Sequence, residues 1–420
     1  MTARRIVVAA LLLAAVLYRQ NAVAHFSSGS PDGDQYIALA RGLRAGTLGF
    51  GQGPSYARLP GYPLLLSPLV GDARRDVVVA RAAHLNALLD VGSAIAVWVI
   101  AAELDVGLLA ALLVVVAPPL ILFSTLSLTE SLATFLGTWA LALAVLRRPM
   151  LCGAVFGAAL LVRIDSLTFL PGLLVLLGWR RAGWLAVGTL LVWAPWPLRN
   201  LVDFGAPHPA AAEWPAQDGT PLPSGPIRWM RTWSSSAPGE QQFADSIVFS
   251  KRCPERALSP AMWAGDDRGE LERVAARCHL EGLTPSVNQG FERLAAQRRA
   301  AHPLAFYVEL PMRRLLRLWS PPPEREVRWM HLPEAGVPSA YFLMRGWYFL
   351  LYLGALGGAV ILWRRRHRPF VVAAIVVLVA RSALHAVAVP HYEGFRYWVE
   401  IIPLLCVLAG ATLPVMKRRS

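Results

Sequence analysis

The sequence predicts an all-α polytopic membrane protein of about ten transmembrane helices. A helical first outer loop lies against the membrane, and a larger extracytoplasmic segment separates spans seven and eight. Of the 420 residues, 55% are hydrophobic and only 16% charged, and the mean hydropathy of +0.44 is outside the range of ordinary soluble domains. Apolar runs of about 20 residues recur, the length needed to cross a hydrocarbon core of about 30 Å. Short basic clusters stand beside these runs.

The predicted spans are 5–24, 82–102, 106–123, 127–146, 151–163, 165–179, 183–199, 341–363, 370–389 and 396–416. The N-terminus, with Arg4 and Arg5 before an apolar run, is typical of a signal peptide, and 22–24 reads as a cleavage site. Because further spans follow, we expect an uncleaved first helix.

The basic clusters set the orientation of these spans. With the N-terminus in the cytoplasm, the inner loops contain the following clusters: Arg4-Arg5, Arg147-Arg148, Arg180-Arg181, Arg364 to Arg366 with Arg368, and Lys417 to Arg419. The positive-inside rule therefore predicts that both termini are cytoplasmic, as in a bacterial inner membrane. Topology also explains much of the formal charge of +14, so no nucleic-acid partner is expected.

This orientation divides the chain into three parts. Residues 1–200 form an N-terminal transmembrane module with an outer loop at 25–81, residues 201–340 an extracytoplasmic region, and residues 341–420 the C-terminal transmembrane helices. Within the extracytoplasmic region, helical patterns begin near residue 269, and 303–319 reads as an interfacial helix with a basic face of Arg313, Arg314 and Arg317.

The four cysteines fall into two pairs. Cys152 and Cys406 lie in apolar segments and are expected to be core residues. Cys253 and Cys278 share the polar region, where an extracytoplasmic location would permit a disulfide; the sequence leaves this open. No Cys/His spacing resembles a zinc site.

The first outer loop begins SPDGDQYIALARGLRAG at 30–46, with apolar residues at helical spacing and Gly46 as a stop. Asp32 and Asp34 therefore lie at the start of a short helix just outside the membrane. One carboxylate suffices to cap a helix, so capping and a role as general base both remain open for this pair.

Further candidate groups lie near the same outer level. The string RLPGYP at 58–63 places Arg58 before a stiff entry into the bilayer; Arg58 is either solvated or holds a phosphate. Ser127 and Glu130 fit a capping box, which competes with a catalytic role for Glu130. Arg163 and Asp165 are close enough to pair.

Arg199 lies at the end of the seventh span, where it is either a site residue or an arginine that snorkels to the membrane surface. Asp90, Arg381 and His385 interrupt apolar sequence inside the membrane. Such groups are functional or paired, and a structural Arg381–Asp90 pair is the simplest alternative. The last outer turn adds His391 and Arg396.

The order of these motifs resembles the GT-C superfamily of membrane glycosyltransferases, in particular the protein mannosyltransferases and the aminoarabinose transferases. The matching pieces are Asp32 with Tyr36, RLPGYP at 58–63, TES at 129–131, LVR at 161–163 before Asp165, PWPLRN at 195–200, and Arg396 with its following tyrosine. They extend over nearly the whole chain, although 205–260 has no counterpart.

The resemblance implies an inverting transfer of a sugar from a polyprenyl-phosphate carrier to an extracytoplasmic protein, lipid or glycan. It places the general base at Asp32, with Asp34 as competitor because this chain has Asp-Gly-Asp where the family often has Asp-Glu. The implied donor and substrate-binding residues are Tyr36, Arg58, Tyr62, Glu130, Arg163, Asp165, Arg199, His391 and Arg396. No cofactor is certain, and dependence on a divalent cation is left open.

The location of the candidate base agrees with a lipid-borne donor, because nucleotide sugars are cytosolic. An inverting displacement needs a carboxylate beside the acceptor hydroxyl and cations on the departing phosphate. Two alternative functions remain. The first is a transporter or flippase of lipid-linked sugars, which the ionisable residues Asp90, Arg381 and His385 would support. The second is a non-catalytic assembly protein that presents 200–340 to partners.

Overall fold

A computed structural model describes residues 2–49, 53–211, 216, 220–235, 240–254, 268–320, 337–388 and 394–412. These residues contain nineteen α-helices and no strand, which confirms the all-α prediction. One isolated parallel bridge joins Ser28 to Leu126, and the Ser28 amide donates to the Thr125 carbonyl at 3.1 Å. The bridge fastens the first outer loop to the turn before Glu130.

The helices of the N-terminal half are Thr2–Phe26 (α1), Pro31–Arg44 (α2), Gly61–Val70 (α3), Arg75–Glu103 (α4), Leu109–Val115 (α5), Pro118–Ser124 (α6), Glu130–Val145 (α7), Pro149–Val162 (α8), Leu170–Leu177 (α9), Ala182–Trp193 (α10) and Pro195–Phe204 (α11). Those of the C-terminal half are Ser224–Met230 (α12), Glu240–Ser250 (α13), Arg268–Glu281 (α14), Pro285–Ala301 (α15), Leu310–Trp319 (α16), Val337–Arg364 (α17), Arg368–Ala388 (α18) and Ile402–Gly410 (α19).

Three of these helices are long and apolar enough to cross a membrane, in the part of the chain that the structure describes. They are Arg75–Glu103, Ser339–Arg364 and Arg368–Val387. A fourth crossing results if Ile164–Leu177 and Trp179–Trp193, bent by 113°, form one broken span. Length and composition thus support a membrane protein, and they do not confirm ten spans.

Breaks explain why several predicted spans are shorter than expected. Residues 106–123 divide into α5 and α6, because Pro118 begins a new helix after the turn at Val116 and Ala117. Gly178 has φ +75°, a backbone conformation that suits glycine, and it makes the sharp turn between the sixth and seventh predicted spans. The last predicted span starts with two 3₁₀ turns before α19.

Glycines allow α8 and α10 to pack backbone to backbone. A Cβ at Gly153 would lie 2.1 Å from the Leu185 carbonyl oxygen, and one at Gly188 would lie 2.1 Å from the Met150 carbonyl oxygen. Close approach of this kind is how helices associate in membranes, where packing rather than hydrophobic exclusion holds them together. It fixes α8, whose C-terminal end carries Arg163.

The described part of residues 201–340 has a hydrophobic core of its own. Trp229, Trp233, Phe243 and Phe291 pack together in it with ring centroids 5.3–6.3 Å apart, and α12 and α13 contribute to it together with α14 and α15. Cys253 and Cys278 are bonded at its edge. The disulfide that the sequence left open is therefore present.

The predicted basic face at 303–319 is wrong for Arg314. Its guanidinium is buried and donates to the carbonyls of Arg231 and Ser234, at 2.6 and 2.9 Å, so Arg314 joins α16 to the segment after α12. Arg313 is exposed beside Glu309. The face of α16 opposite Arg314 exposes Met312 and Leu316, which suits an interfacial helix.

The disulfide closes a loop with a sequence separation of 25 residues. We expect Cys253→Ser to destabilise the core around Trp229 by about 3.5 kcal/mol, the chain-entropy value for a loop of that length. Intrinsic tryptophan fluorescence during thermal unfolding measures this, since Trp229 and Trp233 report on that core.

Reductant should lower the unfolding midpoint of the wild-type protein and leave Cys253→Ser, the control, unchanged. An equal response of both proteins to reductant would contradict the prediction.

Candidate active site

Helix α2 is capped by Ser30. Its Oγ accepts a hydrogen bond from the Gly33 amide at 3.0 Å, and Pro31 occupies the first helical position. The helix ends at Arg44, followed by Gly46 at φ +89°. Side-chain capping is thus done by Ser30, and both aspartates of the first turn are available for other partners.

Asp32 and Asp34 bind different arginines. Asp32 receives Arg58 Nη2 at 2.5 Å on Oδ1 and Arg396 Nη1 at 2.9 Å on Oδ2. Asp34 receives both Nε and Nη2 of Arg75, at 2.6 and 2.9 Å, on the solvent side. Residues two apart on a helix point in nearly opposite directions, so only Asp32 faces the other candidate residues.

Arg58 contacts two residues besides Asp32. Its Nε donates to Gln35 Oε1 at 2.7 Å, and its guanidinium carbon lies 5.5 Å from the centroid of the Tyr36 ring. Tyr36 meets Tyr62 edge to face at 5.4 Å. The structure therefore brings Arg58 to Asp32 and Tyr36 to Arg58, and Tyr62 reaches this group only through Tyr36.

The predicted capping box at Ser127 and Glu130 is not formed. Helix α7 begins at Glu130 itself, no side chain caps it, and Ser127 Oγ has no hydrogen-bond partner. Glu130 is fully buried and pairs instead with Arg163 at 3.1 Å and with Arg396 Nε. Tertiary ion pairs thus replace local capping, because a buried carboxylate requires a cation.

Arg163 is held on several sides. Its Nε and Nη2 donate to the two oxygens of Asp165 at 3.2 and 3.0 Å, which confirms the predicted pair. The same Nε lies 2.8 Å from Glu400 Oε1. Glu400 in turn lies 2.9 Å from Arg381 Nη2, and Arg381 also reaches Asp165 at 3.2 Å.

The predicted Arg381–Asp90 pair is wrong. Asp90 lies 3.7 Å from Arg19 on α1, and both side chains are buried. His385 lies one turn from Arg381 on α18, with its Nε2 3.7 Å from Asp165 Oδ2. Two of the three intramembrane groups therefore belong with Asp165.

Four carboxylates and four guanidinium groups thus form one ion-pair network. Its members are Asp32, Glu130, Asp165, Glu400, Arg58, Arg163, Arg381 and Arg396. The side chains of Glu130, Arg381 and Glu400 are inaccessible to solvent, whereas Asp32 is 29% and Arg58 22% exposed. The network therefore opens to solvent at Asp32.

Electrostatics keep Asp32 ionised. Burial favours the neutral acid, but the charges of Arg58 and Arg396 outweigh burial and hold the pKa of Asp32 well below its usual range. Burial likewise opposes the charged form of Arg58, yet Asp32 raises its pKa overall. At neutral pH the open end therefore contains one carboxylate between two cations.

No group of three or more His, Cys, Asp or Glu side chains in the described residues is placed to hold a metal ion. Guanidinium groups stand between the carboxylates of the network and supply the positive charge there.

Besides Asp34, the predicted site residue Arg199 lies apart from the network in the described part of the chain. Arg199 pairs with Asp203 at 2.6 Å and donates to the carbonyls of Leu48 and Ser55 at 3.2 and 3.0 Å, so it fastens the first outer loop to α11 and does not snorkel. His391 lies outside the described residues.

The sequence analysis missed Gln35, Arg75 and Glu400. Glu400 carried a signal: it is ionisable within the apolar final span, four residues after Arg396. Gln35 and Arg75 had none, because polar residues are ordinary in an outer loop.

In comparisons with protein-family models, curated proteins and solved structures, no match to this chain was found.

Arg163 contacts three of the four carboxylates, so we expect Arg163→Met to destabilise the protein by about 3–5 kcal/mol, the usual effect of leaving buried charges unpaired. The unfolding midpoint in detergent measures the change. The control is Arg268→Met, which removes an exposed pair with Glu272 and should leave the midpoint unchanged. Equal midpoints for the two variants would refute a structural role for the network.

Proposed function

We propose that the protein is a GT-C-like glycosyltransferase that moves a sugar from a polyprenyl-phosphate carrier to an extracytoplasmic acceptor, with inversion. It has about ten spans in a bacterial inner membrane, both termini are cytoplasmic, and the active site lies on the outer face. Asp32 is the general base.

The observation that carries this proposal is the ion-pair network. Five motifs on which the resemblance rests are far apart in sequence, at 32–36, 58–63, 129–131, 161–165 and 396–397. Each contributes a side chain to the network or to its immediate surroundings. Helix capping or interface anchoring would not require these five motifs to meet.

The chemistry uses the open end of the network. Asp32 takes the proton of the acceptor hydroxyl while the acceptor oxygen attacks the anomeric carbon of the sugar. The bond from that carbon to the phosphate oxygen breaks, and its electron pair stays on the phosphate. Arg58 and Arg396 stabilise the charge that develops there, and polyprenyl phosphate leaves.

Asp32 is the better candidate for the base than Asp34. Asp32 lies beside two cations that can hold a phosphate, so proton acceptor and leaving group meet at one place. Asp34 is held bidentately by Arg75, and no network arginine contacts it among the described contacts.

Two features support an outward-facing site. Disulfides persist in oxidising compartments, and the Cys253–Cys278 bond lies in the region proposed to be extracytoplasmic. Helix α16 packs on the C-terminal half of α18, where Trp319 Nε1 donates to Ser382 Oγ at 3.1 Å and Arg314 Nη1 to the Ala386 carbonyl at 3.4 Å, and its other face exposes Met312 and Leu316. This surface and the grooves between spans would hold the lipid tail of the donor.

The flippase alternative loses most of its support, because Arg381 and His385 contact Asp165 instead of lining a separate path. Of the intramembrane groups that the sequence singled out, Asp90 alone lies elsewhere, paired with Arg19.

Purified protein incubated with a panel of polyprenyl-phosphate sugars should release polyprenyl phosphate. We expect Asp32→Asn to lower turnover by about 10²–10⁴-fold, the usual contribution of a general base, in protein that an unfolding transition shows to be folded. Asp34→Asn is the matched control and should retain turnover.

Absence of turnover with every donor, in folded protein, would refute the proposal. Transbilayer movement of the lipid without a glycosylated product would favour a flippase, and indifference to Asp32→Asn a scaffold.

A further inference from the structure

The candidate base is blocked in the structure. Each carboxylate oxygen of Asp32 accepts a hydrogen bond from a guanidinium group, Oδ1 from Arg58 and Oδ2 from Arg396. A carboxylate held on both oxygens by cations is a weak proton acceptor, because protonation would break two charge-assisted hydrogen bonds.

Both arginines hold Asp32 in the same way. Arg58 uses Nε for Gln35 and a terminal nitrogen for Asp32. Arg396 uses Nε for Glu130 and a terminal nitrogen for Asp32. Each guanidinium therefore has a second anchor, and each stays in place if its terminal nitrogen changes partner.

A phosphate is the ligand most suited to take over those terminal nitrogens. It offers several anionic oxygens to the planar fork of a guanidinium, the same geometry that a carboxylate uses. Among the network arginines Arg58 is the most exposed at 22%, followed by Arg396 at 13% and Arg163 at 11%, and Arg381 is inaccessible.

We propose that the phosphate of the donor displaces Asp32 from Arg58 and Arg396, so that donor binding itself releases the base. This inference rests on the proposed function. The acceptor then loses its proton only when a donor is in place, and the order of binding is donor first.

The inference predicts the direction in which the affinity for a phosphate changes when the charge of Asp32 is removed. A purely structural role for Asp32 predicts the opposite direction. If Asp32 competes with phosphate for the two arginines, Asp32→Asn should bind farnesyl monophosphate more tightly than the wild type, by about 10-fold. If Asp32 only positions the arginines, the same variant should bind more weakly. Isothermal titration in detergent measures the affinity.

Three variants complete this experiment. Asp34→Asn changes a carboxylate that pairs with Arg75 outside the network, and this variant should bind farnesyl monophosphate like the wild type. Arg58→Gln and Arg396→Gln should each bind at least 10-fold more weakly. The unfolding midpoint of every variant checks that it is folded.

The pH dependence of turnover gives a second readout. The charged groups around Asp32 are Arg58 before α3, Arg396 before α19 with Glu130 behind it, and Asp34 with Arg75 on the solvent side. In the free protein the arginines lower the pKa of Asp32, so kcat/KM for the donor should stay constant down to low pH.

In the donor complex the phosphate neutralises those arginines and the pKa rises. The acid limb of kcat should therefore lie at least one pH unit above that of kcat/KM.

Failure of the proposed function and failure of this inference would give different results. If folded wild-type protein neither binds farnesyl monophosphate nor turns over any donor, the proposed function fails and this inference with it. If the wild type turns over a donor while Asp32→Asn binds the phosphate equally or more weakly, or the two acid limbs coincide, the inference alone is wrong.

Discussion

The structure depends on charge neutrality among side chains that are mostly buried. A lone carboxylate or guanidinium in a helical bundle is costly, and it is tolerated only with a partner. Here four of each sign meet, and they come from the first outer loop, the starts of α3 and α7, the end of α8, the middle of α18 and the segment before α19. The requirement for partners therefore specifies which of these segments become neighbours.

Burial divides the network into two parts with different roles. Arg381, Glu130 and Glu400 are sealed from solvent and form the rigid part, since each touches at least two partners of opposite charge or a backbone carbonyl. Asp32 and Arg58 form the open part, which solvent reaches. In the proposed transfer the sealed part would keep its geometry during the reaction, because its ion pairs are already formed.

The sequence predicted the features that local pattern determines. The start of α2, the all-helical class and the Arg163–Asp165 pair depend on residues close together in the chain, and the structure has them. The errors involve long-range choices: Asp90 pairs with Arg19 on α1, and Glu130 prefers Arg163 and Arg396 to capping α7. Sequence alone does not say which helices are adjacent. Gln35 went unnoticed for the same reason, since both of its side-chain partners, Arg58 and the Ala216 carbonyl, are distant in sequence.

The short bridge between Ser28 and Leu126 has a consequence for the spacing of two charged groups. Asp32 follows Ser28 by four residues, and Glu130 follows Leu126 by four residues. A backbone contact therefore stands four residues before each of the two carboxylates that flank Arg396. Because so short a stretch of chain allows little relative movement, the bridge restrains the gap into which the Arg396 guanidinium fits.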